Sequence, residues 1–181
     1  MKKTVFILSL LFLFSGRLQA QLVPLSLEQR IANSNLVFEG KVIDQSSFWN
    51  KEHTHIYTSN LISVYKVFKG ELSKSVVEVI TIGGIVGNDM ERVSYGLELR
   101  EGFIGVFTCI PNTVNFTGPT KNLRVKAYGE IQGFIRYDLA SGTASDVFKV
   151  YQNVAKEIYP AIQNVTKSNY KIVNKVDFKI N

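Results

Sequence analysis

Cysteine and histidine are scarce in this chain of 181 residues, which contains one cysteine and two histidines. A single cysteine cannot form an intramolecular disulfide, and it cannot supply the set of thiolates that a structural zinc site needs. A disulfide-stabilised scaffold and a zinc-finger fold are therefore excluded. Charged residues make up 20% of the chain and hydrophobic residues 45%, which excludes wholesale disorder and is ample for one core.

Dense runs of basic residues are absent as well, although the formal net charge is +6. Three of the 21 basic residues, Lys2, Lys3 and Arg17, lie among the first 20 residues. The remainder of the chain has 18 basic and 15 acidic residues, and therefore a net charge of only +3. We expect no nucleic-acid partner, because a nucleic-acid footprint needs clustered lysine and arginine.

The hydrophobic runs are short compared with the roughly 20 apolar residues that span a bilayer. Residues 5–14 form an apolar run that follows Lys2 and Lys3 and precedes the small residue Ala20. This order is typical of a secretory signal peptide. It predicts a signal peptide over residues 1–20 and an exported protein, located in the periplasm, at the cell surface or outside the cell. No membrane span is expected, because the apolar run is too short. No lipoprotein anchor is expected either, since no cysteine stands directly after the cleavage position.

Short segments rich in β-branched and aromatic residues follow one N-terminal helix. The helix is predicted over residues 24–34, where Ser26 and Gln29 have the spacing of a capping box. The glycine-rich stretch 83–89 predicts a hairpin, and residues 44–51 predict a polar loop. Strands are predicted at residues 36–43, 53–68, 76–82, 92–99, 103–110, 123–128 and 131–139.

An amphipathic helix is predicted near the C-terminus, over residues 146–159, with Pro160 at its end. Its apolar positions are Val147, Val150, Tyr151, Val154 and Ile158. Residues 176–180 alternate apolar and polar side chains, which predicts an edge strand. Together these patterns predict a mainly β (α+β) fold. A small barrel or sandwich with a packed C-terminal helix would occupy residues 21–163, and a tail would occupy residues 164–181.

Several short motifs resemble a module of secreted Bacteroidota proteins. They are IANS at 31–34, VFEGKV at 37–42, IYT at 56–58, VYKVFKG at 64–70, IGG at 82–84 and the strand at 103–107. The module is similar to netrin-like and tissue-metalloprotease-inhibitor-like domains. The resemblance covers about half of the chain and implies a small OB-like β-barrel with a short N-terminal helix. It also implies a binding or accessory role at the bacterial surface.

The inhibitor members of that family use a disulfide-tethered N-terminal cysteine to reach the metal of a protease. This chain has its only cysteine at position 109. Inhibition of a metalloprotease is therefore not expected, and the resemblance implies a fold rather than a mechanism.

The histidines and the cysteine are the candidates for metal binding or nucleophilic catalysis. His53 and His55 would share one face of a strand, where they could bind zinc or copper or simply be two exposed polar residues. Cys109 is a free thiol that could be a core residue, a nucleophile paired with one of the histidines, or half of an intermolecular disulfide. Phe48, Trp49 and Tyr57 could form a ligand-binding platform or a flap that packs on the core.

Recognised catalytic signatures are missing from the sequence, which contains no HExxH, GxSxG or phosphate-binding GxxxxGK[ST] motif. We therefore predict no catalytic residue and no cofactor. The predicted function is a secreted, non-enzymatic binding or accessory module with a protein or glycan partner. The competing hypothesis is a secreted hydrolase or metal-binding enzyme that uses Cys109 or His53 and His55.

Overall fold

The computed structural model describes residues 22–115 and 122–180. The predicted signal peptide lies outside the described residues. The first element is helix α1 (Leu27–Asn33). It begins with the predicted capping box, in which Gln29 N donates to Ser26 Oγ at 3.1 Å and Ser26 N donates to Gln29 Oε1 at 2.9 Å. These reciprocal bonds satisfy amides that a helix N-terminus leaves without partners.

The described residues form eleven strands, and the prediction of a mainly β fold with two α-helices is confirmed. The strands are β1 (Leu36–Trp49), β2 (Ile56–Lys69), β3 (Val76–Ile82), β4 (Gly84–Val86), β5 (Asp89–Glu91), β6 (Ile104–Pro111), β7 (Leu123–Ala127), β8 (Phe134–Asp138), β9 (Thr143–Ser145), β10 (Val150–Tyr151) and β11 (Lys171–Ile172). The predicted hairpin is the pair β4–β5, in which Ile85 lies opposite Met90.

Five strands close into a ring in the order β1–β2–β3–β7–β6, because β1 pairs with β6 as well as with β2. Every pairing in the ring is antiparallel except β3–β7, which is parallel. The sheet then continues outward from β6 through β8 and β9 to β10. β1 is six residues longer than predicted, because residues 44–49 of the expected polar loop pair with β2.

Two apolar clusters hold this arrangement together. The first takes side chains from all five ring strands and includes a stack of Phe38 on Phe107, with ring centroids 5.0 Å apart. The second lies between the β8–β9 extension, α1 and the C-terminal helix, and includes Ile31, Ile135 and Ile162, all fully buried. The ring is therefore filled from within and covered on one outer side by the two helices.

A C-terminal helix is present, but its predicted position at 146–159 is wrong. Asp146 accepts backbone hydrogen bonds from Phe148 and Lys149, and residues 150–151 pair with β9 as strand β10. A π-helical turn (Val154–Ile158) follows, and then helix α2 (Tyr159–Thr166). Pro160 lies in the first turn of α2, where its missing N–H leaves no helical hydrogen bond unmade. Pairing with the preceding strand β9 thus overrides the helical period of the local sequence.

Two other predicted strands, at residues 92–99 and 176–180, are wrong, although the alternation of apolar and polar side chains in them has a physical origin. In residues 92–99, a turn with Gly96 N bonded to Val93 O replaces the strand, and Leu97 and Leu99 are buried in the first cluster. In residues 176–180, alternate side chains pack against the second cluster without a strand ladder. A segment that lies extended on a surface shows the same period-two pattern as a strand.

The strand predicted at 131–139 begins only at Phe134, because residues Glu130–Gly133 form a 3-10 helix. Among the helices of the described residues, none has the length and apolar character needed to cross a membrane.

Candidate binding groove

The three aromatic residues singled out from the sequence meet at one end of the β1–β2 hairpin. Phe48 lies opposite Tyr57 in the strand register, with ring centroids 6.2 Å apart and ring planes inclined by 25°. Trp49 stacks on His53 with centroids 5.9 Å apart. All three aromatic side chains are half-buried. Phe48 and Tyr57 therefore pack on each other, whereas Trp49 packs on His53.

The two histidines lie in the connection between β1 and β2, so the expectation that they share a strand face is wrong. His55 Nδ1 lies 2.8 Å from Glu91 Oε1, and Ile56 N donates to Glu91 Oε2 at 2.6 Å. The backbone bond from Ile56 and the bond to His55 lower the pKa of Glu91. Over residues 22–115 and 122–180, no three His, Cys, Asp or Glu side chains cluster in a way that could hold a metal ion.

Cys109 lies inside the ring, where it is fully buried in the first apolar cluster. Burial raises the pKa of its thiol above the ordinary value. Cys109 pairs in register with Leu36, the first residue of β1, whereas the histidines follow the last residue of that strand. A strand rises about 3.3 Å per residue, so roughly 40 Å of strand separates the thiol from the imidazoles.

The main concave feature surrounds residues 92–100, which sequence reasoning treated only as a strand. A cavity of about 750 Å³ lies on one side of this segment and a cavity of about 410 Å³ on the other. We call the two cavities together the groove. Both are lined by Arg92, Val93, Gly96, Leu97 and Glu98. The larger cavity continues to Phe103, Ile131, Phe134, Arg136 and residues 145–147, and the smaller one to the β4–β5 hairpin.

A chain of hydroxyl contacts holds the β4–β5 hairpin against the ring. Thr58 Oγ1 donates to Gly83 O at 2.7 Å, so the hydroxyl of Ser47, 2.9 Å away, donates to Thr58 Oγ1. Ile85 N in turn donates to Ser47 Oγ at 3.3 Å. Gly84 has φ +146°, and a Cβ there would lie 2.5 Å from Thr58 Oγ1. Only glycine allows the hairpin to approach the β1–β2 pair this closely.

The segment between the two cavities, residues 92–100, is anchored to β1 and contains one residue with left-handed backbone. Gln45 Nε2 donates to Leu99 O at 3.0 Å, and the side chains of Leu97 and Leu99 are buried. Tyr95 has φ +64° and a side chain that is 53% exposed. Left-handed backbone is uncommon for a residue other than glycine and often occurs at binding sites.

The opposite wall of the larger cavity contains Asp146, which is almost fully buried. Arg30 Nη2 lies 2.6 Å from Asp146 Oδ2, and Tyr151 OH donates to the same oxygen at 3.1 Å. Burial raises the pKa of Asp146, but the backbone N–H of Phe148 and the Arg30 charge outweigh it, so the pKa is lowered overall. The ion pair fixes the position of this wall relative to α1.

Several exposed large apolar side chains line the groove. We call these residues the apolar rim: Ile85, Met90, Val93, Tyr95 and Val147. Single exposed apolar residues are normal, whereas several around one concavity are typical of an interaction surface. The only sequence signal for them was the apolar Ile85–Met90 pair beside the predicted hairpin turn, because the other members come together through tertiary structure. No protein-family model matches this chain, and a search of curated proteins finds no significant match.

Proposed function

We propose that this protein is an exported, non-enzymatic binding module whose groove holds a segment of a partner protein. The apolar rim carries the proposal. Met90 is 72% exposed and Ile85 is 62% exposed, at the free side of a hairpin that is held rigidly against the ring. Desolvating such side chains against a partner would stabilise a complex by roughly 25 cal/mol per Å² of apolar surface buried.

The ring of strands supports the proposal that this module is an OB-type barrel of the netrin-like class. An OB fold is a five-stranded, partly open Greek-key barrel. The five-strand ring closed by β1 and β6 has this strand number, and the two helices that cover one side agree with the proposed class. OB-type barrels bind ligands on the face of their second and third strands and in adjacent loops. The smaller cavity of the groove is lined in part by Thr58 of β2 and Thr81 of β3.

Binding also agrees better than catalysis with the positions of the candidate residues. A cysteine nucleophile needs a thiolate and a base within hydrogen-bond reach. Cys109 is buried with a raised pKa, and the histidines follow the far end of β1. The hypothesis of a hydrolase that pairs Cys109 with His53 or His55 gains no support from this arrangement.

A peptide-display selection on the immobilised chain, residues 21–181, tests the proposal. We expect the selected peptides to lose binding to a Met90→Asp/Val93→Asp variant, because a carboxylate at these positions opposes apolar contact. Ile172→Asp is the matched control, since Ile172 is 71% exposed on β11 and does not line the groove. Peptides that bind both variants equally well would contradict the groove as the site. A hydrolytic activity of the purified chain that is lost in Cys109→Ala would contradict a non-enzymatic role.

A further inference from the structure

We infer that the segment bound in the groove is acidic, and that Arg136 and Arg100 bind its carboxylates. This inference rests on the proposed function and specifies the chemistry of the partner. It follows from a comparison of the charged side chains around the groove that form ion pairs with those that form none.

The carboxylates that line the groove already have hydrogen-bond partners within the protein. Asp146 is paired with the buried Arg30. Glu98 Oε1 lies 2.8 Å from Arg92 Nε, and Glu91 is bonded to His55 and to the backbone.

Two other guanidinium groups lie on the groove. Arg136 lines the larger cavity and Arg100 the smaller one, and both side chains are exposed. Neither has an ion-pair partner within the described ranges of the chain. The carboxylate next to Arg136 along β8 is Asp138, whose pKa is lowered by hydrogen bonds from Ser141 and Ala140 and, to a smaller extent, by the Arg136 charge. The two side chains form no ion pair, so the Arg136 guanidinium can still bind a carboxylate of a ligand.

Arg136 is also held in a geometry suited to carboxylate recognition. Its guanidinium carbon lies 4.5 Å from the centre of the Phe103 ring, a cation–π contact that restricts the side chain. A planar guanidinium can bind a carboxylate through two parallel N–H···O bonds. A side chain restricted by such a contact loses less conformational entropy when it binds than a free one.

The surroundings favour a protein segment over an acidic polysaccharide. Sugars stack on flat aromatic faces, but of the three aromatic side chains that line the larger cavity Phe134 is buried, Phe103 is covered by Arg136 and only Tyr95 is exposed. Four of the five side chains of the apolar rim are aliphatic or thioether groups. Such groups fit apolar side chains, so the expected occupant is a peptide segment in which acidic and apolar residues are interspersed.

Three synthetic decapeptides test this inference, each with leucine at alternate positions and glutamate, glutamine or lysine between them. Fluorescence polarisation would measure their affinity for the chain at low and at physiological salt. We expect the glutamate peptide to bind most tightly and to weaken as salt increases. Arg136→Gln should reduce its affinity about tenfold and leave the affinity of the glutamine peptide nearly unchanged. Arg136→Lys should recover part of the loss, since it keeps the charge but not the planar fork.

Two further variants sharpen the test. Glu98→Gln frees Arg92 from its ion pair and should tighten binding of the glutamate peptide, which a loss of structure would not do. Lys156→Gln removes an exposed positive charge away from the groove and should change little. Melting curves of each variant would verify that it remains folded.

The outcomes separate the two proposals. Equal binding of the glutamate and glutamine peptides, or no effect of Arg136→Gln, would overturn the charge assignment and leave the groove as the site. Binding of an oligogalacturonate in preference to the glutamate peptide would overturn the assignment to a protein segment. If none of the three peptides binds and no displayed peptide depends on Met90 and Val93, the proposed function itself is wrong.

Discussion

Lys66 on β2 lies directly opposite Glu39 on β1, and its Nζ is 2.9 Å from Glu39 Oε1 on a carboxylate that is fully buried. Tyr137 OH donates to Glu39 Oε2 at 2.7 Å, and Tyr159 OH donates to the same oxygen. The two tyrosines come from β8 and from the start of α2. One carboxylate therefore connects the ring, its β8 extension and the C-terminal helix.

Removal of this carboxylate should destabilise the protein strongly. Glu39→Leu leaves the Lys66 ammonium, only 14% exposed, without its counter-ion and leaves two tyrosine hydroxyls without their acceptor. Breaking a buried ion pair in this way typically lowers the free energy of unfolding by about 3–5 kcal/mol. Urea denaturation would measure the loss. A Glu39→Leu/Lys66→Met double variant should recover part of it, and an additive double variant would show that the pair is not coupled.

The ion pair between Arg30 and Asp146 should make stability depend on acidity. The pKa of Asp146 is lower in the folded chain than its ordinary value of 3.8. Its contribution is therefore complete above about pH 4 and disappears as the pH falls through the folded pKa. Asp146→Asn should lower the free energy of unfolding at neutral pH by about 3 kcal/mol, because Arg30 stays buried, and should flatten the decline below pH 4.

Urea titrations at neutral and acid pH would measure both effects. Glu101→Gln, which removes an exposed carboxylate from a turn, is the control and should retain the wild-type pH profile. An Asp146→Asn profile parallel to that of the wild type would show that another carboxylate dominates the acid response.

The sequence was informative where structure is determined by neighbours along the chain. The Ser26–Gln29 capping box joins residues three positions apart, and the glycines before and after residues 84–86 predict a hairpin that the structure contains. Strand β3 has the predicted bounds of 76–82, since six of its seven residues are β-branched and such a run suits a buried strand.

The features that the sequence did not predict depend on distant residues. Asp146, at the start of the predicted helix, binds Arg30, which lies 116 positions earlier. The groove combines residues 92–100 with β8 and residues 145–147, and no pattern within any one of these segments indicates the others. Likewise, residues 92–99 were predicted as a strand, and their pattern did not distinguish a strand from a turn anchored by the buried Leu97 and Leu99.

Gly84 should be intolerant of a side chain. Gly84→Ala would force a methyl group against Thr58 Oγ1 and Ser47 Oγ and should cost about 1–3 kcal/mol of stability. The change would also release the amide of Ile85, whose hydrogen exchange should accelerate. Gly87→Ala is the matched control, because Gly87 has φ +62° but open space around its Cβ position. Similar hydrogen exchange at Ile85 in both variants would contradict the proposed contact.

Cys109 should be unreactive in the folded protein. A buried thiol with a raised pKa supplies little thiolate, so iodoacetamide at about pH 8 should leave it unmodified until urea unfolds the chain. Mass spectrometry would follow the modification. A Ser141→Cys variant supplies an exposed thiol in the same chain, which should react quickly while Cys109 does not. Rapid modification of Cys109, or a Cys109-linked dimer on non-reducing gels, would show that the thiol is accessible.

Phe178 should stabilise the fold although it belongs to no strand. Its ring packs edge-on against Tyr65, with centroids 5.3 Å apart, and against Tyr137 at 6.0 Å. Aromatic pairs of this kind contribute about 0.5–1.5 kcal/mol each beyond the area they bury. Phe178→Ala should therefore lower the free energy of unfolding in urea by about 1–2 kcal/mol. Lys179→Ala, at the neighbouring exposed position, should have no measurable effect, and equal losses in both variants would contradict side-chain packing as the anchor of the tail.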